Sequence, residues 1–163
     1  MSRAISAITI ERTYQAALKD VWALWTTRKG FESWWGPGGF SARVTGIDLR
    51  PGRELHYEMT AVGAEQIAFM KNAGMPLTTP AKITFIEIAP MERLIYSHTA
   101  DFIPGVEAYQ VLTKVEFSVS GGDVRMVVTL DPMHDEEWTQ RAAMGMKSQI
   151  DKLDRILASA GGK

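Results

Sequence analysis

The chain has 163 residues, 45% of them hydrophobic and 23% charged, with a formal net charge of -1. That is enough apolar material for a core in one domain of ordinary size, and it argues against disorder and against a broad basic surface for nucleic acid. Cysteine is absent, which excludes disulfides, a thiol nucleophile and thiolate metal ligation.

The opening "MSRAISAITIERTY" lacks the apolar run of a signal peptide, and nothing later approaches the roughly 18 apolar residues of a membrane span. A soluble cytoplasmic protein is expected. Residues 5–14 read as a first strand. Residues 18–27 read as a short helix, because Leu18, Val21, Trp22 and Trp25 recur at steps of three and four. Residues 28–35 repeat the pattern with Phe31, Trp34 and Trp35, and Thr27 between the two pieces is an N-cap candidate. Gly36-Pro37-Gly38-Gly39 then stops the helix.

From Ser41 to Leu130 the period changes to two. Pro51-Gly52 marks a turn. Beyond it Leu55, Tyr57 and Met59 share one face, with Glu54, His56 and Glu58 on the other. "AKITFIEI" and "RLIYSHTA" form a hairpin around Pro90-Met91-Glu92. "YQVLTKVEFSVS" alternates, with Val111, Thr113, Val115, Phe117 and Val119 on one side, and "SGGD" turns it back into "VRMVVTL". Residues 61–80 interrupt this meander. Ala64 to Ala73 are mostly good helix formers, Gly74 suits a left-handed terminus, Met75 is placed to pack back on Met70, and Pro76 ends the segment. A short inserted helix is expected there, with a surface excursion as the alternative.

The last element is a helix over about 133–159, roughly 40 Å long. Asp131-Pro132 supplies an N-cap candidate and a proline at the first helical position. Asp135, Glu136 and Glu137 suit the positive end of the macrodipole. Trp138, Ala142, Met146, Ile150, Leu153 and Leu157 mark one continuous stripe. The expected fold is α+β: a curved antiparallel sheet of about six or seven strands around a long C-terminal helix, with two short helices after the first strand. Neighbouring helical residues point about 100° apart, so Trp34 and Trp35 cannot share one narrow stripe. One is expected to face the sheet and long helix, the other the turn or the mouth of a cavity.

"VWALWTTRKGFESWWGPGGFSARVTGIDLRPGRELHYEM" resembles the START-like helix-grip superfamily (SRPBCC), in the branch named after the activator of the heat-shock-protein-90 ATPase. The resemblance rests on Val21-Trp22, Trp25-Thr26, Trp34-Trp35-Gly36-Pro37 and Asp48-Leu49-Arg50-Pro51-Gly52, with support from "IAPMERLIYSH" and "MGMKSQIDKLDRIL". It covers nearly the whole chain as a single helix-grip domain. Three departures are visible. Arg53 stands where the family often has a second glycine, Met146 follows Gly145 where it often has tryptophan, and the insertion at 61–80 replaces a short hairpin.

The resemblance implies a cavity between sheet and long helix, the usual kind of small-molecule site. The candidate lining is Leu55, Tyr57, Met59, Phe85, Tyr96, Tyr109, Val111, Met126 and Met146, joined by Trp34, Trp35 and His98. The alternative is that these side chains simply fill the core. His98 shares a face with Leu94 and Tyr96; turned inward it could serve as acid or base near neutral pH, or it could be a hydrogen-bonded structural histidine. His56 is expected to be solvated, and His134 sits in an acidic run that reads as capping. No ligand spacing among the histidines supports a metal, and no nucleophile elbow, phosphate loop or dinucleotide fingerprint is present.

The expected function is binding of a small apolar or aromatic molecule without a cofactor. An enzyme of the cyclase, aromatase or dehydratase kind is the alternative, and it requires His98, Tyr96 or Tyr109 to converge in the cavity. A chaperone-regulating interaction is the third reading. The extra chaperone-binding domain of the eukaryotic activator has no counterpart in these 163 residues.

Overall fold

A computed structural model describes residues 6–36, 38–100 and 105–161. The elements follow the chain as β1 (Ile8–Tyr14), α1 (Leu18–Thr26), α2 (Arg28–Trp34), β2 (Phe40–Ile47), β3 (Glu54–Ala61), α3 (Ala64–Asn72), β4 (Thr78–Ala89), β5 (Arg93–Ala100), β6 (Tyr109–Ser120), β7 (Asp123–Leu130) and α4 (Glu136–Gly161). The seven strands form one antiparallel sheet in the order β1-β7-β6-β5-β4-β3-β2. This is the helix-grip arrangement expected from the sequence. Ile5 and Pro37, which the sequence reading placed in the first strand and in the helix stop, lie outside the described residues.

The local reasons are visible. Thr27 caps α2, its hydroxyl oxygen accepting from the Gly30 amide at 3.0 Å. Gly36 and Gly39 take φ of +96° and +87°, a region glycine enters without a Cβ penalty, so the chain passes sharply from α2 into β2. α2 also clips that strand at a register shift between Val44 and Gly46: Arg28 donates to the Val44 carbonyl and Glu32 accepts from the Val44 amide, each at 2.6 Å. α3 ends as its composition predicts, with Gly74 at φ +68° and the Met75 amide donating back to the Met70 carbonyl at 2.9 Å.

One boundary differs from expectation. α4 begins at Glu136, three residues after the expected 133, and Asp131-Pro132 does not cap it. The cap is Asp135, whose carboxylate accepts from the Trp138 amide at 2.8 Å. Residues 131–135 instead carry the chain off β7, with the Met133 amide donating to Thr139 Oγ1 at 2.8 Å. The excess of acidic residues near the helix start concealed which of them holds the cap.

The core is concentrated at one end of the sheet. Trp25, Phe31, Trp34, Leu55, Phe85, Leu94, Met126, Ile150 and Leu153 are all sealed from solvent. Trp22 meets Phe117 edge-on at 5.7 Å, and Trp25 meets Trp34 at 4.6 Å. The tryptophans of α1 and α2 and the C-terminal half of α4 therefore fill that end. The N-terminal half of α4 offers Ala142 and Gly145 instead, and there the filling stops.

Candidate functional site

Beneath that half of α4 lies a cavity of about 780 Å³, within the range of small-molecule sites. Strand register explains who lines it. Tyr57 pairs with Ala81, Tyr96 with Thr113, His98 with Val111, and Thr113 with Leu130. These inward residues form a band across five strands, and all of them border the cavity. One step toward the packed end, Leu94 pairs with Val115 and Phe117 with Met126, and that band is solid.

Of the twelve residues nominated from sequence, Trp35, Tyr57, Met59, Tyr96, His98, Val111 and Met146 border the cavity. Leu55, Phe85, Met126 and Trp34 lie in the packed end, on the right face but at the wrong height along their elements. Trp34 is fully enclosed, and its indole N–H donates to the Leu24 carbonyl at 2.6 Å. Tyr109 is also displaced: it packs beside Met133 and Val111 in a small satellite cluster, and its hydroxyl lies 3.0 Å from His134 Nδ1 and accepts from the His134 amide.

The paired tryptophans point apart, but the sheet-facing and cavity-facing places expected of two residues both fall to Trp35, and Trp34 packs on α1. Trp34 faces the core, while Trp35 stacks on Phe31 at 4.3 Å, meets Tyr57 and Tyr96 edge-on at 6.2 and 6.0 Å, and borders the cavity. The glycine turn after them is tied to α4. Gln149 Oε1 accepts from the Gly36 amide and Ser148 Oγ from the Gly38 amide, both at 2.9 Å, and Lys152 donates to the Phe40 carbonyl at 2.8 Å. Turn, Trp35 and helix thus form one connected wall.

Several lining residues were not nominated from sequence: Thr113, Ala81, Ile83, Leu130, Met133, Ala142, Gly145 and Gln149. Thr113 was detectable, since it interrupts the valines on the inward face of β6. Gln149 was detectable as a polar residue beside the apolar stripe of α4. The others are small or aliphatic residues with no mark distinguishing lining from filling.

The electrostatics are quiet inside and busy at the rim. Burial pushes the His98 imidazole below its ordinary range, favouring the neutral ring, and pushes the Tyr57 and Tyr96 hydroxyls up. At the rim Lys82 and His56 both meet the Glu54 carboxylate, at 2.8 and 3.0 Å. Among the described residues, Trp25 Nε1, Trp35 Nε1, Tyr96 OH and Thr113 Oγ1 are buried without a hydrogen bond of ordinary geometry, the Tyr96 hydroxyl lying against Thr113 and the Tyr57 hydroxyl against Trp35. The second, smaller hollow near β1 is different in kind, because Tyr14 and Arg12 both pair with Asp154 there, at 2.6 and 3.2 Å. Among the described residues no cluster of His, Asp or Glu could hold a metal ion, and no helix is long and apolar enough to cross a membrane.

A seven-stranded sheet gripping one long helix, with a hollow under half of that helix, is the architecture of the START-like helix-grip class. The family described as "Activator of Hsp90 ATPase homolog 1-like protein" matches residues 15–158, and the chain belongs to it. Solved structures agree on the fold. A protein from Arthrobacter aurescens superposes with a TM-score of 0.73 at 23% identity, over 94% of this chain and 86% of that one. An AHSA1 protein from Silicibacter pomeroyi gives 0.72 at 16% identity, over 95% and 99%. An AHSA1-like protein from Aeromonas hydrophila gives 0.68 at 18% identity, over 97% and 96%. No curated protein matches the chain.

Proposed function

We propose that the protein binds a small apolar or aromatic molecule in the cavity between the sheet and α4. The observation that carries this reading is the hollow itself: about 780 Å³ bordered by Trp35, Tyr57, Met59, Tyr96, Val111, Met133 and Met146. Interiors are otherwise packed to crystal density, so a hollow of this size opening to solvent at its rim has the form of a small-molecule site. Methionines on opposite walls let the shape adapt. The test is a thermal-shift screen over apolar and aromatic metabolites, paired with mass spectrometry of an organic extract of the purified protein. A cognate molecule at a hundredfold excess over its Kd adds about 2.7 kcal/mol. Absence of both a shift and an extracted compound counts against the reading.

One observation favours a catalytic variant of this function. His98 and Tyr96 sit two residues apart on β5 and border the same cavity. A neutral imidazole beside an apolar guest is placed to move a proton, as cyclase- or dehydratase-like chemistry demands. Tyr109, engaged with His134, stands outside that pair. Turnover of a bound compound that His98→Gln abolishes while binding persists would establish this variant. The chaperone connection in the family description is tested separately, by stoichiometric recovery of the chaperone on the immobilised protein.

A further inference from the structure

Most polar side chains that border the cavity are already engaged. Lys82 and His56 meet Glu54, Gln149 holds the Gly36 amide, and Thr99 Oγ1 accepts from Gln110 at 2.8 Å. The Tyr96 and Thr113 hydroxyls lie against each other. Thr79 and Asp131 are exposed to solvent. His98 differs from all of these. It is partly buried and borders the cavity, and among the described residues its ring nitrogens have no hydrogen-bond or ion-pair partner.

Its place on β5 sets the geometry. Leu94, Tyr96 and His98 share the inward face. Leu94 lies in the packed end, Tyr96 lies against Trp35, and His98 is one step farther out, opposite Val111. Alternate residues of a strand lie about 7 Å apart. A guest whose apolar body rests on Trp35, Tyr57 and Tyr96 therefore covers His98 with the part that extends about 7 Å farther.

A neutral imidazole has one donor and one acceptor, and the tautomer decides which nitrogen is which. Solvent entering at the rim can satisfy both. A guest that fills the cavity shuts that solvent out, and a pure hydrocarbon leaves the imidazole unmet. A carbonyl can answer only the N–H. A hydroxyl donates and accepts, so it matches either nitrogen. A carboxylate fits badly, because Lys82 already pairs with Glu54 at the rim and burial opposes charging His98 to match it.

We infer that the cavity's occupant is an uncharged, largely apolar molecule carrying a hydroxyl group, which meets the imidazole of His98. This rests on the cavity being a binding site.

The test uses diphenylmethane and 4-benzylphenol, which differ only by one hydroxyl, with 4-benzylbenzoate as the charged counterpart. Affinities are measured for the wild type, His98→Phe and His98→Gln. The wild type should bind 4-benzylphenol about tenfold more tightly than diphenylmethane. His98→Phe should erase that preference while holding diphenylmethane at least as tightly as the wild type does. His98→Gln, whose amide both donates and accepts, should keep part of it. No preference in the wild type, or the same preference in His98→Phe, overturns the hydroxyl inference and leaves the apolar site standing. Equal loss in both variants does so too, since it would assign the effect to ring packing. Binding of 4-benzylbenzoate as tight as that of 4-benzylphenol overturns the uncharged assignment. Binding of none of the three overturns both the inference and the reading beneath it.

Discussion

Tyr96 and Thr113 face each other across β5 and β6 at the wall of the cavity, and their two buried hydroxyls have no hydrogen-bond partner but one another among the described residues. Removing one oxygen of such a pair strands the other and ordinarily loses about 1 kcal/mol, whereas removing both relieves the protein of the desolvation penalty of each. Tyr96→Phe or Thr113→Val alone should therefore lower the melting temperature by a few degrees, and the double variant should recover much of that loss. Strictly additive losses in differential scanning calorimetry would mean that the two hydroxyls do not bond to each other.

Trp34 carries the heaviest structural duty of the aromatic pair. It is fully enclosed, packed against Trp25 and Trp35, and bonded to the Leu24 carbonyl. Trp34→Ala should lose about 3–5 kcal/mol in urea denaturation followed by circular dichroism. Trp35→Phe keeps a ring on Phe31 and should lose less, while changing the affinity of any cavity ligand. A negligible loss for Trp34→Ala would contradict its place in the core.

His98 makes stability depend on pH. Burial holds its folded pKa below the ordinary value of 6.5. Between the folded and unfolded values the unfolded chain binds more protons, so stability rises with pH there. This contribution is complete above about pH 6.5 and is lost as pH falls through the folded value. The melting temperature should decline on acidification below pH 6.5, and His98→Gln should flatten that limb of the curve. Identical profiles for the two proteins would place His98 in water.

The fold was legible in the sequence because its signals are periodic and local. Alternation in "YQVLTKVEFSVS" gave β6 and its inward face, and Gly74 gave the end of α3. Parity, however, says which face a residue takes and nothing about its height along the strand. Leu55 and Tyr57 share a face, yet Leu55 meets the tryptophan-filled end and Tyr57 the hollow. Height is decided by what lies opposite, here α1 and α2 at one end and Ala142 and Gly145 at the other. That is tertiary information, and it separated Phe85, Met126 and Trp34 from the residues that do border the cavity. The cap of α4 was missed for a local reason: Asp131 and Asp135 are equally good capping residues, and only the path of the chain leaving β7 selects between them.

Central to all of this is that the space under α4 admits a guest. Titration of isotopically labelled protein with diphenylmethane, followed by two-dimensional NMR, tests that most directly. Saturable shifts confined to Trp35, Tyr57, Met59, Tyr96, Val111, Met146 and their neighbours are expected. No shifts at saturation, or shifts confined to the exposed apolar side chains Val62, Phe69 and Met75, would contradict it.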